Sequence, residues 1–393
     1  MQSRGYGFIK SPAVTGLSLT GLRLPRLFQA SIRFNDMRIL YGAPLQFGST
    51  SEHRLRAFRR AIAEEVIEFP FERYLNSTIT PLRKLTERTL VSPAITSINQ
   101  ALLQAVEADR PDIVWLDKPV YFYAQTIERL FNQGVKTISY MPDDPYGPRN
   151  DFGWRHFKAA LPHYWGHVVT REVTRCEFSE RGARRVVTAP FAFEPSLHFP
   201  PGAVGLSPPK SLDVSFVGSP YDSRAEWIMK LASELSGFKF GLFGPGWERH
   251  AGRLRKVGLI CNPALWNDQY REVIWRSKLS LSFVTRSNRD ELSHKAIESA
   301  ASGTAVLVER SLVHSRIFRD RESAYFFDDP NGLSAVIRNV LSRDEEYKKV
   351  GLNGANSVRS AALSNDDVLS GVMRDLGLVN DHELRATRTG GMP

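Results

Sequence analysis

The sequence is poor in cysteine and contains no long apolar run. Its two cysteines, Cys176 and Cys261, form no CxxC pair and have no histidines at metal-ligating spacings, so neither a disulfide framework nor a zinc site is predicted. A reducing compartment, the cytoplasm, is therefore the expected location. The longest apolar stretches, such as KLSLSFV and TAVLVE, have the length of a strand. This length argues against a membrane-spanning helix and leaves a peripheral membrane position open.

Dense basic blocks are also absent, although the chain as a whole is basic. The 393 residues carry a formal net charge of +10, which indicates an anionic partner such as a nucleoside diphosphate, a nucleic acid or an acidic membrane. The lysines and arginines are dispersed along the chain, and this dispersal argues against nucleic acid. Contact with an anionic membrane surface stays open.

The first 36 residues lack the regular apolar pattern that begins at Met37. They contain five basic residues and a single acid, Asp36, among scattered glycine, proline and serine. No apolar core of the signal-peptide type is present. We predict a flexible extension over residues 1–36, with a transit-like peptide as the alternative.

Short β-rich segments alternate with helical segments along the rest of the chain. MRILYGA, EVIEF, PDIVWLD, VKTISYM, HVVT and RRVVTA predict strands, with helices near residues 52–63, 92–108 and 120–132. A proline-rich stretch over 190–211 interrupts this pattern, which then restarts with LDVSFVG, FKFGLFG, KLSLSFV, TAVLVE and SAYFF. Alternation of this kind is typical of the α/β class, in which helices cover both faces of a parallel sheet.

Two doubly wound domains are therefore predicted. Residues 37–195 form the first Rossmann-like domain, 196–211 a proline-rich linker, and 212–360 the second Rossmann-like domain. Residues 361–393 form a helix that crosses back to the first domain, followed by a polar tail. Ligands of such sheets bind beyond the carboxyl ends of the strands, so the loops that follow strands carry the candidate site residues.

Two strands of the second domain are followed by groups that suit a nucleotide. The candidates are glycines that let a ligand approach the main chain, together with a polar and an aromatic neighbour: Gly218, Ser219, Gly244, Gly246 and Trp247. Arg224, early in the next helix, adds a guanidinium for a diphosphate. The alternatives are an ordinary turn at GPGW and a solvated helix position for Arg224.

A third loop leads into a helix that is expected to begin after Ser293. His294, Lys295 and Glu298 share one side of it. The free N–H groups of the first turn and Lys295 suit phosphate oxygens, while the carboxylate of Glu298 suits the two hydroxyls of a ribose. The alternative is an exposed ion pair between Lys295 and Glu298, with His294 in a structural role.

The stretch DELSHKAIESAASGTAVLVE resembles the carboxyl-terminal signature of GT-B glycosyltransferases, in which two acidic residues flank seven others. Asp290 and Glu298 have that spacing. DVSFVGSPYDSR, LFGPGW, YREVIWRSKLSLSF and FFDDPNGLSAVIRNVL are similar, in this order over residues 213–354, to the CgeB-like (spore-maturation protein type) group. SYMPDDPYGPRNDF in the first domain also resembles that group. The resemblance implies a GT-B fold, in which two Rossmann-like, doubly wound domains face each other across a cleft.

This resemblance further implies a glycosyltransferase that moves a sugar from a nucleotide-diphosphate sugar to an unknown acceptor, which is a glycan, a lipid-linked molecule or a protein. It implies a retaining reaction without a metal or another cofactor. Glu298 would bind the ribose, and Lys295 and Arg224 the diphosphate, while the glycines and Ser219 shape the nucleotide pocket. Asp290 stands where typical retaining members carry glutamate, and Glu291 is its alternative in contacting the donor sugar.

If the reaction inverts configuration, a base from the first domain is needed. Asp117, Asp143 with its neighbour Asp144, and His53 follow predicted strands, and Gly48 lies in the loop expected near the donor phosphates. With Asp290, three of these residues form the candidate catalytic set: Asp117, Asp143 and His53. Each is equally well explained as a loop residue that caps the next helix.

Two rival functions follow from the same pattern. A nucleotide-sugar epimerase would use the same fold with no separate acceptor, and a catalytically silent module would bind the nucleotide sugar without turnover. A basic protein that docks on nucleic acid or anionic lipid is a third reading, from a different class.

Overall fold

A computed structural model describes residues 37–76, 86, 89–149, 152–343 and 345–379. The predicted extension over 1–36 and the tail from residue 380 lie outside the described residues. The chain forms two six-stranded parallel sheets with helices packed on both faces, which confirms the predicted α/β, doubly wound architecture. We call each sheet with its helices a lobe.

The first lobe is built on a sheet of order β2-β1-β3-β4-β5-β6. Its strands are β1 (Arg38–Gly42), β2 (Glu65–Phe69), β3 (Ile113–Asp117), β4 (Lys136–Met141), β5 (Gly166–Val169) and β6 (Val186–Thr188). Ile39 and Trp115 pack on one face and Leu40 and Val114 on the other. Because both faces are buried, β1 and β3 consist mainly of apolar residues.

The helices of the first lobe are α1 (Thr50–Ala57), α2 (Glu72–Asn76), α3 (Pro93–Asp109), α4 (Ala124–Asn132), α5 (Arg155–Ala160) and α6 (Glu172–Glu180). Helix α1 begins after Ser49, whose hydroxyl accepts a hydrogen bond from the Glu52 main chain at 3.2 Å. It continues into a single π-helical turn, Phe58–Ile62.

The second lobe is built on a sheet of order β12-β11-β10-β7-β8-β9. Its strands are β7 (Leu212–Val217), β8 (Phe240–Phe243), β9 (Cys261–Asn262), β10 (Ser277–Ser282), β11 (Ala305–Glu309) and β12 (Tyr325–Phe327). The chain fills the sheet in one direction from β7 and in the other from β10, so the topological switch point lies between these two strands. In the first sheet it lies between β1 and β3. Ligands of open α/β sheets bind at such points.

The remaining helices are α7 (Arg224–Glu234), α8 (Ala251–Lys256), α9 (Asn267–Trp275), α10 (His294–Ala301), α11 (Leu312–Ile317), α12 (Pro330–Leu341), α13 (Glu346–Ser360) and α14 (Asn365–Asp375). Helix α14 returns to the first lobe, where Leu369, Val372 and Met373 join the core around Ile39 and Trp115. Across the described part of the chain, no helix has the length and apolarity needed to cross a membrane.

Candidate functional site

The carboxyl ends of the two sheets face each other across one crevice. At one end of it, Gly48 in the loop after β1 adopts a φ of +73° and lies so close to the second lobe that an added Cβ would stand 2.9 Å from Trp266 Cβ. Beside it, His53 Nε2 donates a hydrogen bond to Asn267 Oδ1 at 3.1 Å. Gly48 and His53 thus border the crevice, and in this structure both lie against the start of α9.

Ion pairs close the other end of the crevice. Arg289, in the loop between β10 and α10, donates to Asp144 Oδ1 at 3.0 Å and to Glu177 Oε2 at 2.6 Å. The main-chain N–H of Asp144 donates to Asn288 Oδ1 at 2.8 Å. Asp144 is fully buried, so this carboxylate is committed to holding the lobes together.

Glu298 lies in the crevice beside His198 and His53, on the side of α10 that faces the first lobe. Its Oε2 is 2.6 Å from Lys295 Nζ, and its Oε1 is 3.5 Å from His294 Nε2 and 3.9 Å from His198 Nε2. The ring of His198 stands edge-on to that of His53 in α1, with the centroids 5.6 Å apart. The carboxylate therefore points toward the first lobe and not into the solvent.

The electrostatics of this cluster keep the carboxylate of Glu298 charged and the imidazoles of His198 and His294 neutral. Burial alone would raise the pKa of Glu298, but the positive charge of Lys295 outweighs it and holds that pKa well below its usual range. Burial lowers the pKa of His198 to about 3 against the opposing pull of Glu298, and it also lowers the pKa of His294. A buried anion thus has acceptor oxygens directed at the crevice.

Lys295 and Glu298 do form the ion pair that the plainer interpretation expected, but the pair is not an exposed one. The Glu298 side chain is only 2% exposed, whereas that of Lys295 is 43% exposed. The ammonium also lies 4.0 Å from the centroid of the Tyr270 ring, a cation–π contact. The cation therefore stands at the mouth of the site, with the carboxylate behind it.

His294 has a structural contact that the sequence did not reveal. Its Nε2 donates to the carbonyl oxygen of Ala192 at 2.8 Å, and its ring stacks on that of Phe191 with the centroids 5.1 Å apart. Both partners belong to the segment that leads from the first sheet to the second. His294 thus ties α10 to the connection between the lobes.

The glycine loops after β7 and β8 pack against each other, main chain on main chain. Gly244 has a φ of +135°, and an added Cβ would lie 2.4 Å from the Gly218 oxygen. The same oxygen accepts a hydrogen bond from Trp247 Nε1 at 2.8 Å. Trp247 is only 1% exposed, so it supports the loop from beneath and has almost no surface for a ligand. Gly246, at a φ of +85°, packs beside Pro220.

Arg224 joins the loop after β7 to the loop after β10, at the switch point of the second sheet. Its guanidinium donates to Thr285 Oγ1 at 2.8 Å, to the Val284 oxygen at 3.3 Å and to the Ser219 oxygen at 3.4 Å. Burial lowers its pKa. Among the described residues Arg224 makes no ion pair, and its Nε is buried without a hydrogen-bond partner. A partly uncompensated cation at this place suits a diphosphate.

Two of the carboxylates predicted as candidate bases in the first lobe are held in ion pairs. Asp117, at the end of β3, accepts from Tyr41 Oη at 2.9 Å and from Arg54 Nε at 2.7 Å, and it is almost completely buried. Asp143 Oδ2 lies 2.5 Å from Lys118 Nζ. Asp117 thus anchors α1 to the sheet.

Asp290, the fourth candidate catalytic residue, lies in the loop before α10 and is bound by the first lobe. Its Oδ1 pairs with Arg171 and accepts from Asn288 Nδ2 at 3.1 Å. Burial raises the pKa of Asp290, and Arg171 opposes that shift. Its neighbour Glu291 is exposed, and its main-chain oxygen accepts from Ser311 Oγ at 2.5 Å.

Three residues of the crevice escaped the sequence analysis: His198, Arg171 and Arg289. Each acts on a partner more than 95 positions away along the chain. No local spacing marks such pairs.

Comparisons with known proteins agree with this geometry. Residues 224–368 match the family model described as glycosyl transferase-like, whereas no curated protein matches the chain. Alr3699/HepE of Anabaena, solved with UDP, is similar over 87% of this chain and 100% of its own, with 12% identity and a TM-score of 0.57. Sucrose-phosphate synthase of Thermosynechococcus elongatus is similar over 89% of this chain and 100% of its own, with 14% identity and a TM-score of 0.60.

A third solved structure, α,α-trehalose 6-phosphate synthase of Burkholderia multivorans, is similar over 90% of this chain and 99% of its own, with 10% identity and a TM-score of 0.58. At these identities the likeness is one of fold. The fold of this protein is thus the GT-B fold, as the sequence predicted, with two Rossmann-like lobes facing across a cleft.

Proposed function

We propose that this protein is a glycosyltransferase that moves a sugar from a nucleotide-diphosphate sugar to a hydroxyl-bearing acceptor. The observation that carries the proposal is the Glu298 carboxylate, which is buried in the crevice, kept ionised by Lys295 and directed at the first lobe. The GT-B fold and the glycosyl transferase-like match over 224–368 support it, and so does the UDP bound to Alr3699/HepE.

Each group in the second lobe has a part in holding the donor. The Glu298 carboxylate accepts hydrogen bonds from the two ribose hydroxyls, because an ionised carboxylate is an acceptor only. The exposed ammonium of Lys295 turns from the carboxylate to the diphosphate, and Arg224 approaches the same group from the loop after β7. The packed loops of Gly218, Ser219 and Gly244 form the floor of the nucleotide site.

The chemistry follows from where charge develops during transfer. As the bond from the sugar to the diphosphate breaks, negative charge grows on the leaving oxygens and positive charge on the sugar. Lys295 and Arg224 stabilise the leaving diphosphate, so the proposed reaction is metal-independent. We propose that it retains configuration, because Asp117 and Asp143 are held in ion pairs and His53 is hydrogen-bonded to Asn267. This arrangement favours a reaction in which the leaving diphosphate oxygen, and no base from the first lobe, takes the proton of the acceptor hydroxyl.

The finer assignment rests on the motifs in the second lobe. Their order over residues 213–354 supports a CgeB-like subtype, and we propose this subtype for the chain. The acceptor is held by the first lobe in this scheme, with His53 and Gly48 at its edge of the crevice.

A nucleotide screen tests the proposal. Thermal shift and calorimetry with UDP, GDP, dTDP and their sugars are expected to reveal at least one stabilising ligand, because a ligand that binds only the folded state raises its stability. Glu298→Gln is expected to weaken the binding of that ligand by about tenfold or more, since it removes charge-assisted hydrogen bonds. Glu345→Gln is the matched control, because Glu345 also pairs with a lysine three residues away, at 2.6 Å, but on an exposed surface.

The products then separate the rival functions. Release or transfer of the sugar by the wild type, lost in Glu298→Gln, supports a transferase, whereas an isomerised nucleotide sugar supports an epimerase. Tight binding without either product supports a silent binding module. If no sugar nucleotide binds at millimolar concentration, the proposal is wrong.

A further inference from the structure

Arg171 reaches into the crevice from the first lobe, directly opposite the loop before α10. It follows β5 by two residues, and its Nη2 donates to the Pro142 oxygen at 2.8 Å. The same nitrogen pairs with Asp290 Oδ1. The Arg171 side chain is only 2% exposed. It is therefore a buried cation that bridges the two lobes.

The other nitrogens of Arg171 are unused. Both Nε and Nη1 are buried and have no hydrogen-bond partner. Buried donors of a charged group that lack a partner cost considerable free energy, and native structures rarely leave them so without a reason. A bound ligand that supplies acceptor oxygens would remove this cost.

Neighbouring guanidiniums of the crevice are in a different state. Arg54 is engaged by Asp117, and Arg289 by Asp144 and Glu177. Arg171 resembles Arg224, whose Nε is likewise buried without a partner. Arg171 is thus a residue of the first lobe with unpaired hydrogen-bond donors, and it lies beside Asp290 in the loop before α10.

We propose that Arg171 binds the transferred sugar of the donor, beside Asp290, which the family resemblance already implies as a contact of that sugar. The free N–H groups of Arg171 donate to hydroxyl oxygens of the sugar, and the Asp290 carboxylate accepts from a hydroxyl. This inference rests on the proposed function, since it places the sugar beside the diphosphate held by Lys295 and Arg224. The sugar subsite is then complete only when the lobes are closed.

The charge of the pair selects the class of sugar. Arg171 and Asp290 compensate each other, so the subsite is neutral as a whole. A carboxylate on the sugar would add a buried charge without a counter-ion, which is strongly unfavourable. The subsite therefore fits a neutral, hydroxyl-bearing sugar and disfavours a uronic acid.

Calorimetry with UDP, UDP-glucose, UDP-N-acetylglucosamine and UDP-glucuronate tests this inference. The wild type is expected to bind a neutral-sugar nucleotide more tightly than UDP and more tightly than UDP-glucuronate. Arg171→Met is expected to raise the dissociation constant of the neutral-sugar nucleotide by about tenfold or more, while that of UDP changes by less than about twofold. Arg171→Lys, which keeps the charge, is expected to restore part of the difference in affinity between the neutral-sugar nucleotide and UDP.

Two further variants guard against a loss of fold. Arg171→Met combined with Asp290→Asn removes both charges together and leaves no unpaired ion. Arg175→Met is the matched control, because Arg175 lies one turn further along in α6 and pairs with Glu172 at an exposed site. It is expected to bind every ligand as the wild type does.

Three results would overturn the inference. Equal weakening of UDP and UDP-glucose in Arg171→Met would show that Arg171 acts on the nucleotide or on closure of the lobes, and not on the sugar. Tightest binding of UDP-glucuronate by the wild type would refute the neutral class. Binding of UDP with no gain from any neutral sugar would refute the subsite, whereas failure to bind UDP, GDP, dTDP or any of their sugars would refute the proposed function itself.

Discussion

Lys295 and Glu298, three residues apart in α10, form an ion pair of 2.6 Å whose two halves differ in exposure. The carboxylate is fixed in the crevice by its burial and by the histidines around it. The ammonium lies at the surface of the site and has rotatable bonds that let it leave the pair. The two charges can therefore serve different parts of one ligand.

Replacing Lys295 by methionine is expected to weaken the binding of UDP by about tenfold or more, because the variant loses a charged hydrogen bond to the diphosphate. Binding of uridine, which has no phosphate, is expected to weaken by much less, because uridine loses only the support that Lys295 gives to the charge of Glu298. The ratio of the two dissociation constants, measured by calorimetry, reports this difference. Lys348→Met, at the exposed pair with Glu345, serves as the control. Equal losses for uridine and UDP would place Lys295 away from the diphosphate.

Replacing Asp117 by asparagine is expected to destabilise the protein by about 3 to 5 kcal/mol, because it leaves the buried Arg54 charge without its partner. Combining it with Arg54→Met is expected to recover much of that loss, since no unpaired ion remains. Urea unfolding measures both effects. An Asp117→Asn protein of wild-type stability but without activity would identify Asp117 as a catalytic base instead.

Stability is expected to fall in acid partly through His167, a core residue of β5. Burial lowers its pKa to about 3, although a hydrogen bond to the Leu161 oxygen opposes the shift. Between about pH 6.5 and pH 3 the unfolded chain binds a proton that the folded protein excludes. Stability therefore decreases by about 1.4 kcal/mol for each unit that the pH falls in this window, and His167 contributes nothing above it.

His167→Gln tests this contribution. Glutamine can keep the hydrogen bonds to Ser139 and to the Leu161 oxygen, but it cannot titrate. Between pH 4 and pH 6.5 the unfolding free energy of the variant is expected to depend less steeply on pH than that of the wild type, by about 1.4 kcal/mol for each pH unit. An unchanged slope would mean that His167 titrates alike in the folded and unfolded states.

Arg289→Gln is expected to loosen the closed arrangement of the lobes, because Arg289 links the second lobe to Asp144 and Glu177 of the first. Small-angle scattering of the protein without nucleotide is expected to show a larger radius of gyration. Arg286→Gln is the control, since Arg286 lies in the same loop but pairs with Glu309 of its own lobe. A radius that responds equally to both substitutions would contradict a specific role for Arg289.

Gly244→Ala is expected to cost about 3 kcal/mol or more, because the new methyl group meets the Gly218 oxygen and the φ of +135° is unfavourable for alanine. Gly258 has a φ of +74° and open space around it, so Gly258→Ala is expected to cost only about 1 to 2 kcal/mol. Thermal unfolding compares the two. Equal stabilities would mean that Gly244 is not required for the packing of the loops.

The elements of the fold were predictable to different degrees. Strands such as β3 and β11 are fully buried apolar runs, and a run of this kind is visible in the sequence. By contrast, β9 has two residues and is too short to show a pattern. Helices α5 and α6 mix aromatic and charged residues without a clear apolar period, and the sequence did not predict them.

The site shows the same division. Residues at local spacings, such as Lys295 and Glu298, were predictable as a pair because one turn of helix brings them together. The burial of Glu298 was not, because it depends on His198 and His53, which belong to other parts of the chain. An exposed ion pair between Lys295 and Glu298, the plainer interpretation, was equally consistent with the amino-acid sequence.

The sequence by itself determined the two parallel sheets, the helix that carries Glu298 and the glycine loops before it, since these follow from apolar runs and turn residues that act locally. Only the tertiary structure decided which polar groups meet. His53 contacts Asn267 across 214 positions and Arg171 contacts Asp290 across 119. Such pairs form when two separately folded lobes pack against each other, and no short-range period in the chain encodes that packing.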